Sequence, residues 1–185
     1  MNICVFCGSS FGNSDEYREF ADALGQWMAE KGHVLIFGAS RSGLMGSVSD
    51  SVLAHGGQAV GVTVEIPKIR SLVHPDLTEL VVTSTLAERK AEMLRRSDAF
   101  LTLPGGPGTL DELFEVLSLI RAGVLKKPAI LVNIDGYYEP LLAQLDRITA
   151  VGFATGNDLD SVYSVSDLEE LDSLFGGFGL LGPDF

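Results

Sequence analysis

The sequence predicts a single α/β domain, in which a doubly wound parallel β-sheet is covered by helices on both faces in three layers. Short apolar runs alternate along the chain with segments of helical periodicity. The apolar runs are nearly uninterrupted, which is typical of strands buried on both faces of a parallel sheet. The chain has 185 residues, 46% of them hydrophobic, which is ample material for one buried core.

Glycine marks where the first two predicted helices end. Helix 15–31 stops at Gly32, and helix 43–55 stops at Gly56 and Gly57, because glycine readily takes the left-handed conformation that closes a helix. The other helices are predicted from their apolar spacing, at residues 86–96, 109–122, 137–151 and 167–175.

The strands are predicted where apolar, β-rich residues run together between turn signals. Residues 65–78 contain Pro67 and Pro75 and are predicted to form a loop. The domain is expected to span residues 1–175, with 176–185 as a glycine-rich tail. The predicted strands are residues 2–7, 33–38, 58–64, 80–83, 99–103, 129–133 and 162–165.

Charge and hydropathy limit the partners that the protein can have. The net charge of −12 argues against a nucleic-acid footprint, because phosphate contacts need clustered Lys and Arg. The sequence has no uncharged apolar run of about 18 residues, and its start lacks the basic region of a signal peptide. We therefore expect a cytoplasmic protein that binds a small anionic molecule, with no nucleic acid and no membrane as partner.

Neither the cysteines nor the histidines predict a metal site. Cys4 and Cys7 form a C-x-x-C, but they lie in a predicted strand, where positions three apart face opposite sides. We expect two buried thiols. His33, His55 and His74 have no partner at metal-ligand or triad spacing.

Three predicted strands end in glycine-containing loops, CGSSFG, FGASRSGLMG and LPGGPGT. Each could simply be a tight turn that needs glycine. A Walker A loop is excluded, because Leu44 stands where its lysine must be. A dinucleotide fingerprint is disfavoured, because Asp111 stands where the third glycine would follow Gly106 and Gly108.

The loop PGGPGT, with the helix that follows it, has the features of a site for one phosphate. Its bare backbone can approach a ligand, and the free N–H groups and dipole of a helix start attract an anion. Thr109 could cap the helix and touch the phosphate. Thr109 and Glu112 have the spacing of a capping box, and on spacing alone capping is favoured over catalysis for Glu112.

The segment TSTLAERKAEMLRRSD carries a second group of charges. Thr85 and Glu88 have capping-box spacing, so much of this charge could be a solvated helix face. Arg89 and Lys90, however, begin that helix, where cations oppose the helix dipole. A locally unfavourable placement indicates that something else selects these residues.

Three segments together resemble the LOG family, the cytokinin riboside 5′-monophosphate phosphoribohydrolases. They are ERKAEMLRRSDAFLTLPGGPGTLDELFEV, SGLMG and NIDGYY, and the likeness covers nearly the whole chain. The resemblance implies a Rossmann-like homodimer that needs no cofactor. It also implies hydrolysis of the N-glycosidic bond of a nucleoside 5′-monophosphate to free base and ribose 5-phosphate.

The resemblance also assigns roles to residues. It implies catalysis by Arg89 and Glu112, with Lys90 and Asp111 as neighbouring substrate contacts. Ser9, in the loop after the first strand, is expected to contact the substrate as well. The phosphate-binding loop falls on Gly105, Gly106, Gly108 and Thr109.

Several positions depart from the family pattern. Two loop glycines are replaced by Ala39 and Ser40, which adds Cβ atoms to a loop expected to approach the ligand. Leu86 and Ala87 replace M-H before the R-K pair, and Pro107 stands where tyrosine is common. These departures leave the preferred base open.

Three functions remain open from the sequence. The first is the phosphoribohydrolase, acting on AMP or N6-modified adenosine monophosphates. The second is a non-catalytic purine-nucleotide-binding protein on the same scaffold, which the altered loops favour and the retained Arg89 and Glu112 oppose. The third is a structural domain in which both charged signatures only cap helices.

Overall fold

The structure, a computed structural model, describes residues 1–180 and contains a seven-stranded sheet. Every strand is parallel to its neighbours, and the order across the sheet is β4-β3-β2-β1-β5-β6-β7. The strands are β1 (Asn2–Phe6), β2 (Val34–Phe37), β3 (Gln58–Val64), β4 (Glu79–Thr83), β5 (Ala99–Thr102), β6 (Ala129–Val132) and β7 (Val162–Val165).

Helices cover both faces of this sheet, so the predicted α/β fold is confirmed. Two short 3₁₀ helices, Ile134–Gly136 and Gly156–Leu159, lie on either side of α6. The α-helices are α1 (Asp15–Glu30), α2 (Gly43–Ala54), α3 (Pro67–Arg70), α4 (Leu86–Arg96), α5 (Pro107–Arg121), α6 (Glu139–Ala150) and α7 (Leu168–Leu180).

The core is divided by the sheet into two apolar layers. Leu24 of α1 and Val48 of α2 pack on one face, where α7 also lies. Leu113 of α5 and Leu145 of α6 pack on the other face, together with α4. The strand order reverses between β1 and β5, and in such sheets ligands bind at the carboxyl ends of the strands at this point.

The two cysteines are buried free thiols that face opposite sides of the sheet, Cys4 within β1 and Cys7 directly after it, as the strand periodicity predicts. Cys4 belongs to the layer under α4 and α5, and Cys7 belongs to the layer under α1 and α2. Among residues 1–180, none of the helices combines the length and the apolar character that a membrane crossing requires.

The segment predicted as a loop at 65–78 contains a short helix, α3, so this prediction is wrong in part. Pro67 opens the helix, and proline favours the first helical position because its φ is already set there and no N–H is needed. At the other end of the chain, α7 continues to Leu180 instead of ending near Phe175. The predicted tail 176–185 thus begins inside α7, and residues 181–185 lie outside the described residues.

The apolar stripe on α5 faces the sheet. Leu113 and Leu117 are buried, and Leu110 and Ile120 pack against the same layer. The spacing of these residues alone allows the stripe either to form a dimer surface or to cover the sheet. The structure answers that it covers the sheet.

Gly25 sets the distance between α1 and α2, and replacing it by alanine tests that packing. A Cβ at Gly25 would lie 2.6 Å from both the Val48 carbonyl oxygen and the Ser51 Cβ. Alanine usually stabilises a helix relative to glycine. Here we expect Gly25→Ala to lower the free energy of unfolding by about 1–3 kcal/mol, because the two helices must separate.

Gly177→Ala in α7 is the matched control, since its Cβ would meet no described heavy atom within 4 Å. Urea denaturation of both variants measures the difference. A Gly25→Ala protein at least as stable as the wild type would show that the helix contact is not tight.

Candidate active site

A cleft of about 280 Å³ opens where the sheet order reverses, beyond the ends of β1 and β5. The segment 104–109, here called the phosphate loop, leads from β5 into α5 along one side. The cleft is lined by Gly106, Pro107, Gly108, Thr109 and Glu112 from this side, and by Cys7, Ser9, Met45 and Arg89 from other segments.

The predicted capping box at the start of α5 is wrong. The helix begins at Pro107, its N-cap is Gly106, and no described side chain caps it. Thr109 is therefore the third helical residue and not the N-cap, so it cannot form a capping box with Glu112. Proline at the first helical position moves the helix start ahead of the threonine, because its φ is preset there.

The early start of α5 leaves backbone donors at the cleft. The N–H groups in the first turn of a helix have no partner within the helix, and the helix dipole makes this end positive. A Cβ at Gly106 or Gly108 would meet no described heavy atom within 4 Å, so the space beside both glycines is open. Together these features form a site suited to a phosphate group.

Gly105 has a different reason to be glycine. A Cβ there would lie 2.2 Å from the Thr109 Oγ1, so the loop packs directly on that side chain. Thr109 is itself buried. This contact fixes the loop against the first turn of α5.

Arg89 and Glu112 form a partly buried ion pair in the cleft. The Arg89 Nη1 lies 3.1 Å from the Glu112 Oε1, and each side chain is only 14% exposed. The Arg89 Nε donates a second hydrogen bond, of 2.9 Å, to the Val62 carbonyl. A Cβ at Gly38 would lie 2.1 Å from the Arg89 Nη2, so this glycine makes room for the guanidinium.

The start of α4 allows Arg89 to take this position. Thr85 Oγ1 accepts from the Glu88 N–H at 3.1 Å, and the Glu88 carboxylate accepts from the Ser84 N–H at 2.9 Å. The predicted capping role of Thr85 and Glu88 is confirmed. These two residues cap the helix, and the Arg89 side chain pairs across to α5.

Burial raises the pKa of Glu112 above its ordinary value, and the charge and hydrogen bond of Arg89 oppose this increase. Burial, followed by the nearby Glu112 carboxylate, also raises the pKa of the Cys7 thiol. The cleft therefore holds a neutral thiol, a permanent positive charge on Arg89 and a carboxyl group with enhanced proton affinity.

Lys90 and Asp111 lie beside the cleft but outside its described lining. Lys90 Nζ contacts Asp111 Oδ2 at 2.9 Å and Glu115 Oε2 at 2.5 Å. The hydrogen bond to Glu115, which has the larger effect, and the hydrogen bond to Asp111 both raise the pKa of Lys90. The pairing ties α4 to α5 and so supports Arg89 and Glu112. A direct contact of Lys90 or Asp111 with substrate stays a prediction.

A second cavity of about 240 Å³ borders the phosphate loop and shares Gly106 with the cleft. Gly105 lines this cavity rather than the cleft, and so do Tyr17 and Tyr137.

The sequence reasoning missed Tyr137, as well as Cys7 and Met45 in the cleft. Tyr137 lies within NIDGYY and Met45 within SGLMG. These motifs therefore pointed to the two residues but did not show what either residue does.

The substitutions that depart from the family pattern lie mostly away from the cleft. Met45, in α2, lines the cleft, whereas Ala39 and Ser40, in the loop after β2, line neither cavity. Ala39 is buried with φ of 65°, a left-handed conformation that costs an L-residue about 1–2 kcal/mol. Leu86 is exposed. Of these departures, Pro107 lines the cleft.

The described residues contain no group of three or more His, Cys, Asp or Glu side chains arranged to hold a metal ion.

Comparison with known proteins gives a consistent set of relatives. A family model described as "Possible lysine decarboxylase" matches residues 45–174. The chain is 44% identical over 153 residues to the probable cytokinin riboside 5′-monophosphate phosphoribohydrolase LOGL5 of Oryza sativa subsp. japonica, covering 83% of this chain and 62% of that protein. It is 40% identical over 169 residues to the cytokinin riboside 5′-monophosphate phosphoribohydrolase LOG4 of Arabidopsis thaliana, covering 91% of this chain and 79% of that protein.

Among solved structures, the fold is similar to that of the molybdenum cofactor binding protein from the phototrophic bacterium Rippkaea orientalis. The TM-score is 0.73, and the match covers 96% of each chain at 24% sequence identity. This likeness shows the fold alone.

Removing the Arg89 charge tests the electrostatics of the cleft. Because Arg89 lowers the pKa of Glu112 against the effect of burial, Arg89→Met is expected to raise that pKa further. Carboxyl ¹³C NMR titration measures it, with the Glu112 signal assigned from its loss in Glu112→Gln.

The matched control is Arg95→Met on the same helix. Arg95 helps to lower the pKa of Glu92 to about 2, so this variant is expected to raise the pKa of Glu92 and leave that of Glu112 unchanged. An unchanged Glu112 titration in Arg89→Met would show that the pair is not formed in solution.

Proposed function

The chain belongs to the LOG family of cytokinin riboside 5′-monophosphate phosphoribohydrolases, and from this premise we propose that it hydrolyses the N-glycosidic bond of a nucleoside 5′-monophosphate. The products are the free base and ribose 5-phosphate. The expected substrates are AMP and N6-modified adenosine monophosphates. The observation that carries the proposal is the partly buried pair of Arg89 and Glu112, 3.1 Å apart beside the phosphate loop.

The start of α5 is proposed to bind the 5′-phosphate. The free N–H groups of its first turn and the helix dipole attract an anion without a lysine. The glycines at 106 and 108 leave open space for the phosphate oxygens. Glu112, one turn further along the helix, would then lie beside the ribose.

Glu112 is proposed to act on the ribose and the attacking water. The C1′–N bond breaks, and the base leaves with the bonding electrons. Water forms the new C1′–O bond and loses a proton, and the base takes one up. A carboxylate stabilises the positive charge that develops on the ribose, and its raised pKa makes it a stronger acceptor for the water proton.

Arg89 is proposed to keep Glu112 available in its ionised form. Its charge and hydrogen bond lower the pKa that burial raises, so the carboxylate and the guanidinium work as a unit. A non-catalytic binding protein would need the phosphate site but not this pair. That alternative is therefore not favoured.

A lysine decarboxylase activity, which the description of the family model suggests, is not proposed. Pyridoxal chemistry requires a lysine that forms a Schiff base. None of the described residues that line the cleft is a lysine, and Lys90 beside it is held by two carboxylates.

A cytoplasmic homodimer is proposed as the working form. Its support is the family resemblance, the two free thiols, and exposed apolar side chains on the helices that carry the pair. Leu86 of α4 is 50% exposed and Phe114 of α5 is 41% exposed.

Analytical ultracentrifugation is expected to give twice the 19.8 kDa of one chain. Phe114→Ser should shift the protein toward monomer, and Val124→Ser, at an exposed position after α5, is the control that should not. Sedimentation of the wild type as a monomer would contradict the dimer.

The central test is Glu112→Gln. Glutamine keeps the size of the side chain but can neither take a proton from water nor carry the negative charge. We expect hydrolysis of AMP and of isopentenyladenosine 5′-monophosphate to fall by about 10²- to 10⁴-fold in kcat. Chromatography of the free base and an assay for ribose 5-phosphate measure both products.

Glu115→Gln is the matched control. Glu115 lies one turn further on the same helix and pairs with Lys90 instead of Arg89. In this variant Lys90 keeps its contact with Asp111, which still ties α4 to α5, so near wild-type turnover is expected. Folded wild-type protein that binds these nucleotides without releasing base would overturn the proposed activity. Full turnover in Glu112→Gln would remove Glu112 from the mechanism.

A further inference from the structure

Tyr137 touches the phosphate loop from outside the cleft, and we infer that it is a positioning residue for recognition of the 5′-phosphate. Its hydroxyl holds the peptide unit between Gly105 and Gly106 so that the Gly106 N–H points into the cleft. This inference rests on the proposed function, because it names the group that the N–H would bind.

The turn that carries Tyr137, residues 133–139, is held by its backbone conformation and by hydrogen bonds. Asp135 and Gly136 both have left-handed backbone conformations, with φ of 51° and 67°. The buried Asn133 accepts from the Tyr138 N–H at 2.7 Å and donates to the Glu139 carboxylate at 2.9 Å. A non-glycine residue at positive φ costs free energy and tends to persist where the geometry it creates is needed.

The Tyr137 side chain is held on two sides. Its ring packs edge-on against Tyr17 at 5.9 Å and against Tyr138 at 4.9 Å between ring centroids. From this position its hydroxyl donates a 2.6 Å hydrogen bond to the Gly105 carbonyl, which is 32 residues away in sequence.

The direction of that carbonyl determines the direction of the next N–H. The peptide unit is planar and trans, so its C=O and N–H point in opposite directions, and no described peptide bond is cis. The Gly105 carbonyl points to Tyr137 on the side of the second cavity. The Gly106 N–H therefore points away from Tyr137. Gly106 borders both cavities, and the side away from Tyr137 is inferred to be the cleft, which Gly106 lines with Gly108 and Thr109.

This peptide unit needs an external restraint. It joins two glycines, which lack the Cβ atoms that restrict backbone rotation in other residues. In the other orientation it would present a carbonyl oxygen to the phosphate and repel it. The Tyr137 hydrogen bond favours the orientation that donates.

Tyr138 provides an internal comparison. Its hydroxyl donates to the Leu103 carbonyl at 2.7 Å, before the phosphate loop, and its side chain is only 1% exposed. Tyr137 is 40% exposed, so it contributes less to the core. Of the two neighbouring tyrosines, Tyr138 is thus expected to stabilise the fold, and Tyr137 to position the phosphate loop.

The experiment compares Tyr137→Phe with Tyr138→Phe in the full chain. In Tyr137→Phe we expect KM for AMP and the dissociation constant for ribose 5-phosphate, measured by calorimetry, to rise about tenfold, with kcat nearly unchanged. A hydrogen bond to a charged phosphate made equally in the ground and transition states gives this pattern. Tyr138→Phe should lower the free energy of unfolding and leave both constants unchanged.

The outcomes separate this inference from the proposed function. Unchanged constants in Tyr137→Phe, or an equal rise in both variants, would overturn the inference while wild-type turnover upholds the function. If the wild type binds AMP without hydrolysing it, the function fails. The inference is then judged by whether Tyr137→Phe weakens AMP and ribose 5-phosphate binding about tenfold. A wild type that binds neither ligand would overturn both.

Discussion

The candidate site depends on one constraint, that the charges of Arg89 and Glu112 are both largely removed from water. A buried ion without a partner is strongly unfavourable, so each of these residues requires the other. Their 3.1 Å contact brings the N-terminal parts of α4 and α5 together on one face of the sheet. Gly38 leaves the space for the guanidinium, and Lys90 bridges the same two helices from outside.

The fold could be predicted because it depends on patterns that are local in sequence, whereas the joint assignment of Arg89 and Glu112 came from the family resemblance. Uninterrupted apolar strands and glycine helix stops gave most elements, and the unfavourable cation at the start of α4 pointed to Arg89. The capping interpretation of Glu112 failed because two local signals compete. Pro107 starts the helix before Thr109 can cap it, and spacing alone does not rank these effects. Gly38 and Tyr137 act on residues far away in sequence, so no local pattern could show their roles.

Three glycines near the cleft illustrate why a count of glycines predicts little. Gly38 is required by a side chain, the Arg89 guanidinium. Gly105 is required by the Thr109 side chain, which the loop packs against. Gly106 has open space beside it, so it is the one available to a ligand. In the sequence, Gly105 and Gly106 are members of one motif. Only the contacts separate the packing role of Gly105 from the binding role proposed for Gly106.

The raised pKa of Glu112 has a consequence for stability as well as for chemistry. When burial raises the pKa of an acid in the folded state, the unfolded chain releases its proton first as the pH rises. Between the ordinary value and the raised one, the unfolded state therefore binds fewer protons, and folding stability falls with increasing pH. Above the raised pKa, the whole loss of folding stability remains. Arg89 limits that loss because its charge lowers the pKa of Glu112. A residue kept only as a helix cap would sit exposed at the helix start and avoid this cost. Glu112 is instead placed where burial disfavours its ionised form and Arg89 is the main group that offsets this effect, and that placement supports the catalytic role proposed for it.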